Sequence, residues 1–174
     1  MPPRLRKTAL TAHVTTSLGW LGAVAAFLAL AIAGLNTTDP DRAHALYLAA
    51  DVITWTIIVP LALASFLTGM IQSLGTPWGL LRHYWVLAKL ILTIPATAVL
   101  LLHTQPIGIL ATSSDAHATD LHGVRVQLVA DAVAAIIVLL AATVLAVFKP
   151  RGVTPYGQRR TGQRSSSAER AVAR

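Results

Sequence analysis

Residues 8–38, TALTAHVTTSLGWLGAVAAFLALAIAGLNTT, contain no Asp, Glu, Lys or Arg. A helix crosses the hydrocarbon core of a bilayer with about 20 consecutive apolar residues, and this stretch exceeds that length. Three further charge-free windows follow at residues 52–81, 90–114 and 132–148. Ala, Leu, Val and Ile fill them without polar alternation, which is a poor fit to the ~10-residue strands of a membrane barrel. Backbone groups in lipid must be satisfied internally, which favours helices. The sequence predicts an all-α protein, a four-helix transmembrane bundle, with spans near 11–35, 47–73, 83–103 and 125–148.

The composition agrees. Of 174 residues, 55% are hydrophobic and 12% charged, against ~25% charged in an ordinary soluble protein, which argues against a soluble globular domain. With no Cys, the chain can form no disulfide, thiolate zinc site, iron–sulfur cluster or cysteine nucleophile. The net charge of +7 would suit a nucleic-acid binder, but its placement does not. Arg4, Arg6 and Lys7 precede the first span, Arg82 lies between the second and third, and seven more run from Lys149 to Arg174. Asp39, Asp41, Asp115 and Asp120 occupy the other two loops. The positive-inside rule then places both termini in the cytoplasm of a multi-pass protein of the cell membrane, with no nucleic-acid partner.

Residues 1–148 thus form one transmembrane domain and 149–174 a basic tail. Pro150, Gly152, Pro155 and Gly157 break any helix there, and the Ser/Arg-rich end reads as disordered. Its positive charges can hold it to anionic lipid or can simply be solvated topogenic charge. Ala31-Ile32-Ala33 resembles a signal-peptidase site, but the apolar run from Val14 to Leu35 is longer than the ~7–15 residues of a signal core. The first span is read as retained.

Small residues at four-residue spacing, Gly19/Ala23, Gly22/Ala26 and Ser65/Gly69/Ser73, predict that the first two spans are neighbours. Pro60 and Pro95 each remove one backbone donor in mid-span, which predicts kinks near Thr56 and Ile91. No internal repeat is evident.

Ionisable groups within spans are the default functional candidates. His13, Ser17 and Trp20 share one face of the first helix, and Trp85, Lys89, Thr93 and Ala96 form a stripe on the third. Facing each other, these stripes would put an imidazole and an ammonium group around a cytoplasm-facing cavity. The bland alternative has Lys89 snorkelling to the interface and His13 bonded to backbone. Towards the outer side lie Asp51, His103, His122, Arg125, Gln127 and Asp131, flanked by His44 and His117. An ion pair such as Asp131 with Arg125 or His103 is the favoured reading. A metal site is the alternative, although there is no HExxH motif. Nucleophile-elbow, phosphate-loop and dinucleotide motifs are likewise absent.

His13-x6-Trp20-x-Gly22 and Trp85-x3-Lys89-Leu90 resemble motifs of copper-resistance protein D domains and of the four-helix, oxygen-independent protoporphyrinogen oxidases. Residues 10–157, including Gly75–His83 and Lys149-Pro-Arg-Gly152, are similar to an actinobacterial integral-membrane family of unknown function. The oxidase resemblance implies that His13 is an axial ligand of haem b and that Lys89 partners a propionate or substrate carboxylate, with Trp20 and Trp85 beside them in the cofactor site. It identifies no second axial ligand. Copper transport is disfavoured, because Met1 and Met70 are the only soft ligands.

Three functions follow as expectations. The sharpest is a haem-binding or porphyrin-handling membrane protein. The second is a scaffold or accessory subunit without catalytic activity, whose helix faces bind a partner membrane protein or a second copy. The third is a proton or cation permease using Lys89 and Asp51 or Asp131, in which a narrow four-helix bundle would need to oligomerise.

Overall fold

The computed structural model describes residues 2–75, 84–102 and 118–148, apart from the side chains of 75, 84–87, 89, 90, 100, 101 and 118–121. All regular structure among the described residues is helical. Helix α1 spans Pro3–Asn36, α2 Pro40–Ile53, a π-helical turn Thr54–Ile58, α3 Val59–Gly75, α4 Tyr84–Leu102 and α5 Ala118–Phe148. The turn between the second and third spans, His83, His103, His117 and the basic tail lie outside the described residues.

Among the described residues, three helices are long and apolar enough to cross a membrane: Pro3–Asn36, Pro40–Leu74 and His122–Phe148. Their outer surfaces fit that medium. Leu18, Leu67, Ile71, Ile137 and Val144 are all more than half exposed. Such continuous apolar surface on a folded chain marks contact with lipid or protein rather than water.

The helices run beyond the apolar windows, and at α2 a capping side chain rather than hydropathy sets the start. Helix α1 starts with Pro3 in its first turn, where the missing N–H costs nothing. Helix α2 starts at Pro40 rather than near residue 47. The Asp39 side chain caps it, accepting from the backbone N–H groups of Asp41 at 3.1 Å and Arg42 at 3.4 Å. Helix α5 likewise takes in the polar run before Arg125.

The expected disturbance at Pro60 takes the form of a π turn, in which the Val59 N–H donates to the carbonyl of Thr54, five residues back. Proline at 60 cannot donate to Thr56, so the α ladder is already interrupted there. Phase gives a second reason. Ala50, Thr54, Ile58 and Ala62 are all buried, and three steps of four residues overshoot three 3.6-residue turns by about one residue. One wide turn absorbs the surplus and keeps all four on the inner face. At Pro95, by contrast, α4 continues through the proline, and the Thr97 hydroxyl bonds the Thr93 carbonyl at 2.8 Å.

Helix α1 is the centre of the bundle and packs on α2, α3 and α5, whereas α4 packs chiefly on α5 and at its edge on α3. The core is Trp20, Val24, Phe27 and Ala31 of α1, one stripe at i, i+4, i+7 and i+11, set against Tyr47, Ala50, Ile58 and Ala62 and against Leu128, Ala132 and Leu139. The first two apolar stretches are therefore neighbours, as the small-residue pattern predicts. Gly19 is in that contact, with room for a Cβ only 3.2 Å from Leu61. Gly22 is not, since none of the described residues lies within 4 Å of a Cβ there.

Candidate functional site

Between α1 and α3 runs a polar seam. The Gln72 amide donates to the Ala9 carbonyl at 2.7 Å. One turn along, His13 Nδ1 lies 3.0 Å from the Ser65 carbonyl and 3.2 Å from the Thr68 hydroxyl. Next, the Ser17 and Ser65 hydroxyls meet at 2.7 Å. A carbonyl only accepts, so the bond to Ser65 assigns the proton to His13 Nδ1. The Thr68 hydroxyl donates to the Ala64 carbonyl at 2.7 Å, which leaves its lone pairs to accept from the same N–H. In the neutral ring the basic nitrogen is then Nε2. The ring sits close to α3 because residue 69 is glycine: a Cβ there would lie 3.1 Å from His13 Cε1.

Further along α1, Trp20 is 3% exposed and lines a cavity of about 420 Å³. Val24 and Phe27 continue its α1 wall, Thr54 and Ile58 supply another, and Ile91, Pro95, Ala96 and Val99 bring α4 to it. Helix α5 closes the far side with Leu128, Asp131, Ala132 and Ala135 among others. The two residues that bound the π turn, Thr54 and Ile58, are both buried and both face this space. Pockets of about 300–1,000 Å³ with mostly apolar walls and a few polar groups are the usual form of small-molecule sites, and π turns recur at functional sites. The polar groups here are few. The Thr54 hydroxyl is occupied with the Ala50 carbonyl at 2.8 Å. Asp131 contributes a half-buried carboxyl. The Trp20 indole N–H is enclosed rather than open to this space, with no hydrogen-bond partner among the described residues.

A third cluster lies towards the other end of α1. The Arg125 guanidinium sits over the Tyr47 ring, 5.5 Å from its centroid, a cation–π arrangement. Tyr47 is 1% exposed. Its hydroxyl, His44 Nδ1 and Arg125 Nε are enclosed without hydrogen-bond partners among the described residues. No group of three or more His, Cys, Asp or Glu among the described residues could hold a metal ion.

The residues singled out by sequence fall into different places. His13 and Ser17 turn to α3, whereas Trp20 faces the cavity. Trp85 and Lys89 belong to α4, with side chains outside the described residues. Asp51 is half-buried on α2, and His122 is exposed. Missing from the sequence reading were Thr68 and Gln72, although their polarity within an apolar run was a signal, and Tyr47. No family model, curated protein or solved structure matches the chain.

Proposed function

We propose that the chain is a four-span protein of the cell membrane, with α4 as the fourth span and both termini cytoplasmic, that holds a small lipid-soluble molecule in the cavity between α1, the π turn, α4 and α5. The cavity itself carries this reading: about 420 Å³ bounded by mostly apolar side chains. The test is to purify the full chain from membranes, extract it with organic solvent and analyse the extract by mass spectrometry, beside an Ala135→Phe variant whose ring fills the cavity. A small molecule retained by the wild type and lost from the variant is the expected result. Identical extracts from the two proteins would refute the reading.

A second reading rests on the bond from His13 Nδ1 to the Ser65 carbonyl at 3.0 Å. Histidines that ligate metals usually donate their other ring nitrogen in this way, so His13 would be the residue to hold a haem iron, through Nε2. Lys89 would partner a propionate. Bound haem would supply redox chemistry at the end of the bundle that carries His13, outside the walls of the cavity described above. A Soret band in the purified protein that shifts on reduction and is lost in His13→Ala is the expected result; a colourless preparation from haem-replete cells would end this reading.

A further inference from the structure

We infer that a second copy of this chain docks on the outer face of the second long helix, in a two-fold contact that pairs the Trp55 indole N–H of each copy with the Asp51 carboxyl of the other. The inference is independent of what the cavity holds.

Two cross-helix contacts set the depth of this face. Gly34 lies against Tyr47 near one end of the bundle, and Gly69 against His13 near the other. At 1.5 Å per residue, Tyr47 and Gly69 stand about 33 Å apart along the second long helix, close to the ~30 Å thickness of a hydrocarbon core. On the same scale Asp51 lies about 6 Å and Trp55 about 12 Å inward from Tyr47. Both are thus inside the apolar layer. Tryptophan on a membrane helix usually sits at the interface, where its polar end meets water, and a carboxyl at depth is usually paired. Here Trp55 is 53% exposed and Asp51 half-buried. Among the described residues, no hydrogen bond or ion pair engages the Asp51 carboxyl or the Trp55 indole nitrogen.

This face is self-complementary. It carries a donor without an acceptor and, four residues away on the same side of the helix, an acceptor without a donor. A helical side chain leans over the turn N-terminal to its own Cα, which brings the level of the Trp55 ring back towards Asp51. Two parallel copies related by a two-fold axis along the membrane normal therefore meet at equal depth and exchange two identical bonds. A cation would satisfy Asp51 and leave the indole unpaired; a lipid tail would satisfy neither. The flanking surface suits a helix partner as well. Ala45, Leu48, Val52 and Trp55 are all exposed and follow the i, i+3, i+7, i+10 spacing of a coiled-coil seam.

Full chains carrying a donor or an acceptor dye at Thr38→Cys are mixed in liposomes, and energy transfer is followed as the protein-to-lipid ratio is lowered. Chains otherwise wild type are expected to associate. Trp55→Phe and Asp51→Ala each remove both symmetric bonds and are expected to need about tenfold more protein per lipid. Donor-labelled Trp55→Phe mixed with acceptor-labelled Asp51→Ala keeps one bond per pair, and is expected to associate about threefold more tightly than either variant with itself. A variant damaged in its own fold would gain nothing from that mixing. Energy transfer no higher than random proximity at every ratio, variants that associate as the wild type does, or a mixed pair no tighter than its parents would each overturn the inference.

Discussion

The Tyr47 ring rests on the backbone of Gly34: a Cβ built on that glycine would lie 2.7 Å from Tyr47 Cζ and 2.9 Å from its hydroxyl oxygen. Both residues are buried, and the three residues 37–39 that join their helices hold them opposite each other. An aromatic ring cannot bend away as a flexible chain end can. Gly34→Ala is therefore expected to destabilise the protein by about 1–3 kcal/mol, the range for overpacking, as a lower midpoint of thermal unfolding in detergent. Tyr47→Leu in the same chain is expected to remove the penalty, whereas Tyr47→Phe, which keeps Cζ in place, is not. Additive effects of Gly34→Ala and Tyr47→Leu would show that the contact is not what excludes a side chain at 34.

The Tyr47 hydroxyl is a separate matter. It is enclosed and unpartnered, so deleting it abandons no hydrogen bond. Tyr47→Phe alone is expected to leave stability unchanged or raise it by up to about 1 kcal/mol. Arg125→Gln, which removes the cation from the ring face, is expected to cost about 0.5–2 kcal/mol. A loss on Tyr47→Phe larger than that on Arg125→Gln would contradict this ordering.

His13 and Gly69 form a coupled pair. Hydrogen bonds between membrane helices average about 0.6 kcal/mol and reach about 1.7, which sets the expected cost of His13→Ala. Gly69→Ala places a methyl 3.1 Å from His13 Cε1 and is expected to be destabilising. In the His13→Ala background the same methyl meets no ring and is expected to be close to neutral. A double-mutant cycle on unfolding free energies checks this, and a coupling term of zero would refute it.

Two changes at Thr56, an exposed residue within the π turn, separate its side chain from its contribution to chain length. Thr56→Ala removes a hydroxyl that bonds the Val52 carbonyl at 2.6 Å and is expected to shift stability by no more than about 0.5 kcal/mol. Deleting Thr56 removes the surplus residue, turns α3 against α2 and is expected to unfold the bundle or lower its midpoint sharply. Equal tolerance of both changes would mean that the wide turn does not set the phase of the helix.

The absence of cysteine makes topology directly measurable. Single-cysteine variants Thr38→Cys and Thr8→Cys are expected to differ in intact cells, with a membrane-impermeant maleimide labelling only residue 38. Labelling of residue 8 instead would reverse the proposed orientation.

Charge-free windows made three long apolar helices legible in the sequence, because hydropathy is a property of each segment alone. Helix ends were less legible. The Asp39 cap and Pro40 lie outside any apolar window, so α2 starts about two turns before the window suggests. Pro60 located the break in the second long helix but not its form, which depends on the phase of Ala50, Thr54, Ile58 and Ala62 together. His13 stood out as polar within an apolar run, yet its partners, Ser65 and Thr68, follow from which helix packs on which, and that is a property of the whole bundle. The cavity was not legible at all, since it is space left between residues from four segments.

Thr54 and Ile58 bound the wide turn and face the cavity, while α3 beyond it carries Ser65, Thr68 and Gly69 to His13. Rewinding that single turn to ordinary α geometry would rotate everything beyond it by roughly 100°. The cavity wall and the helix face that bonds His13 thus take their relative orientation from the pitch of one turn.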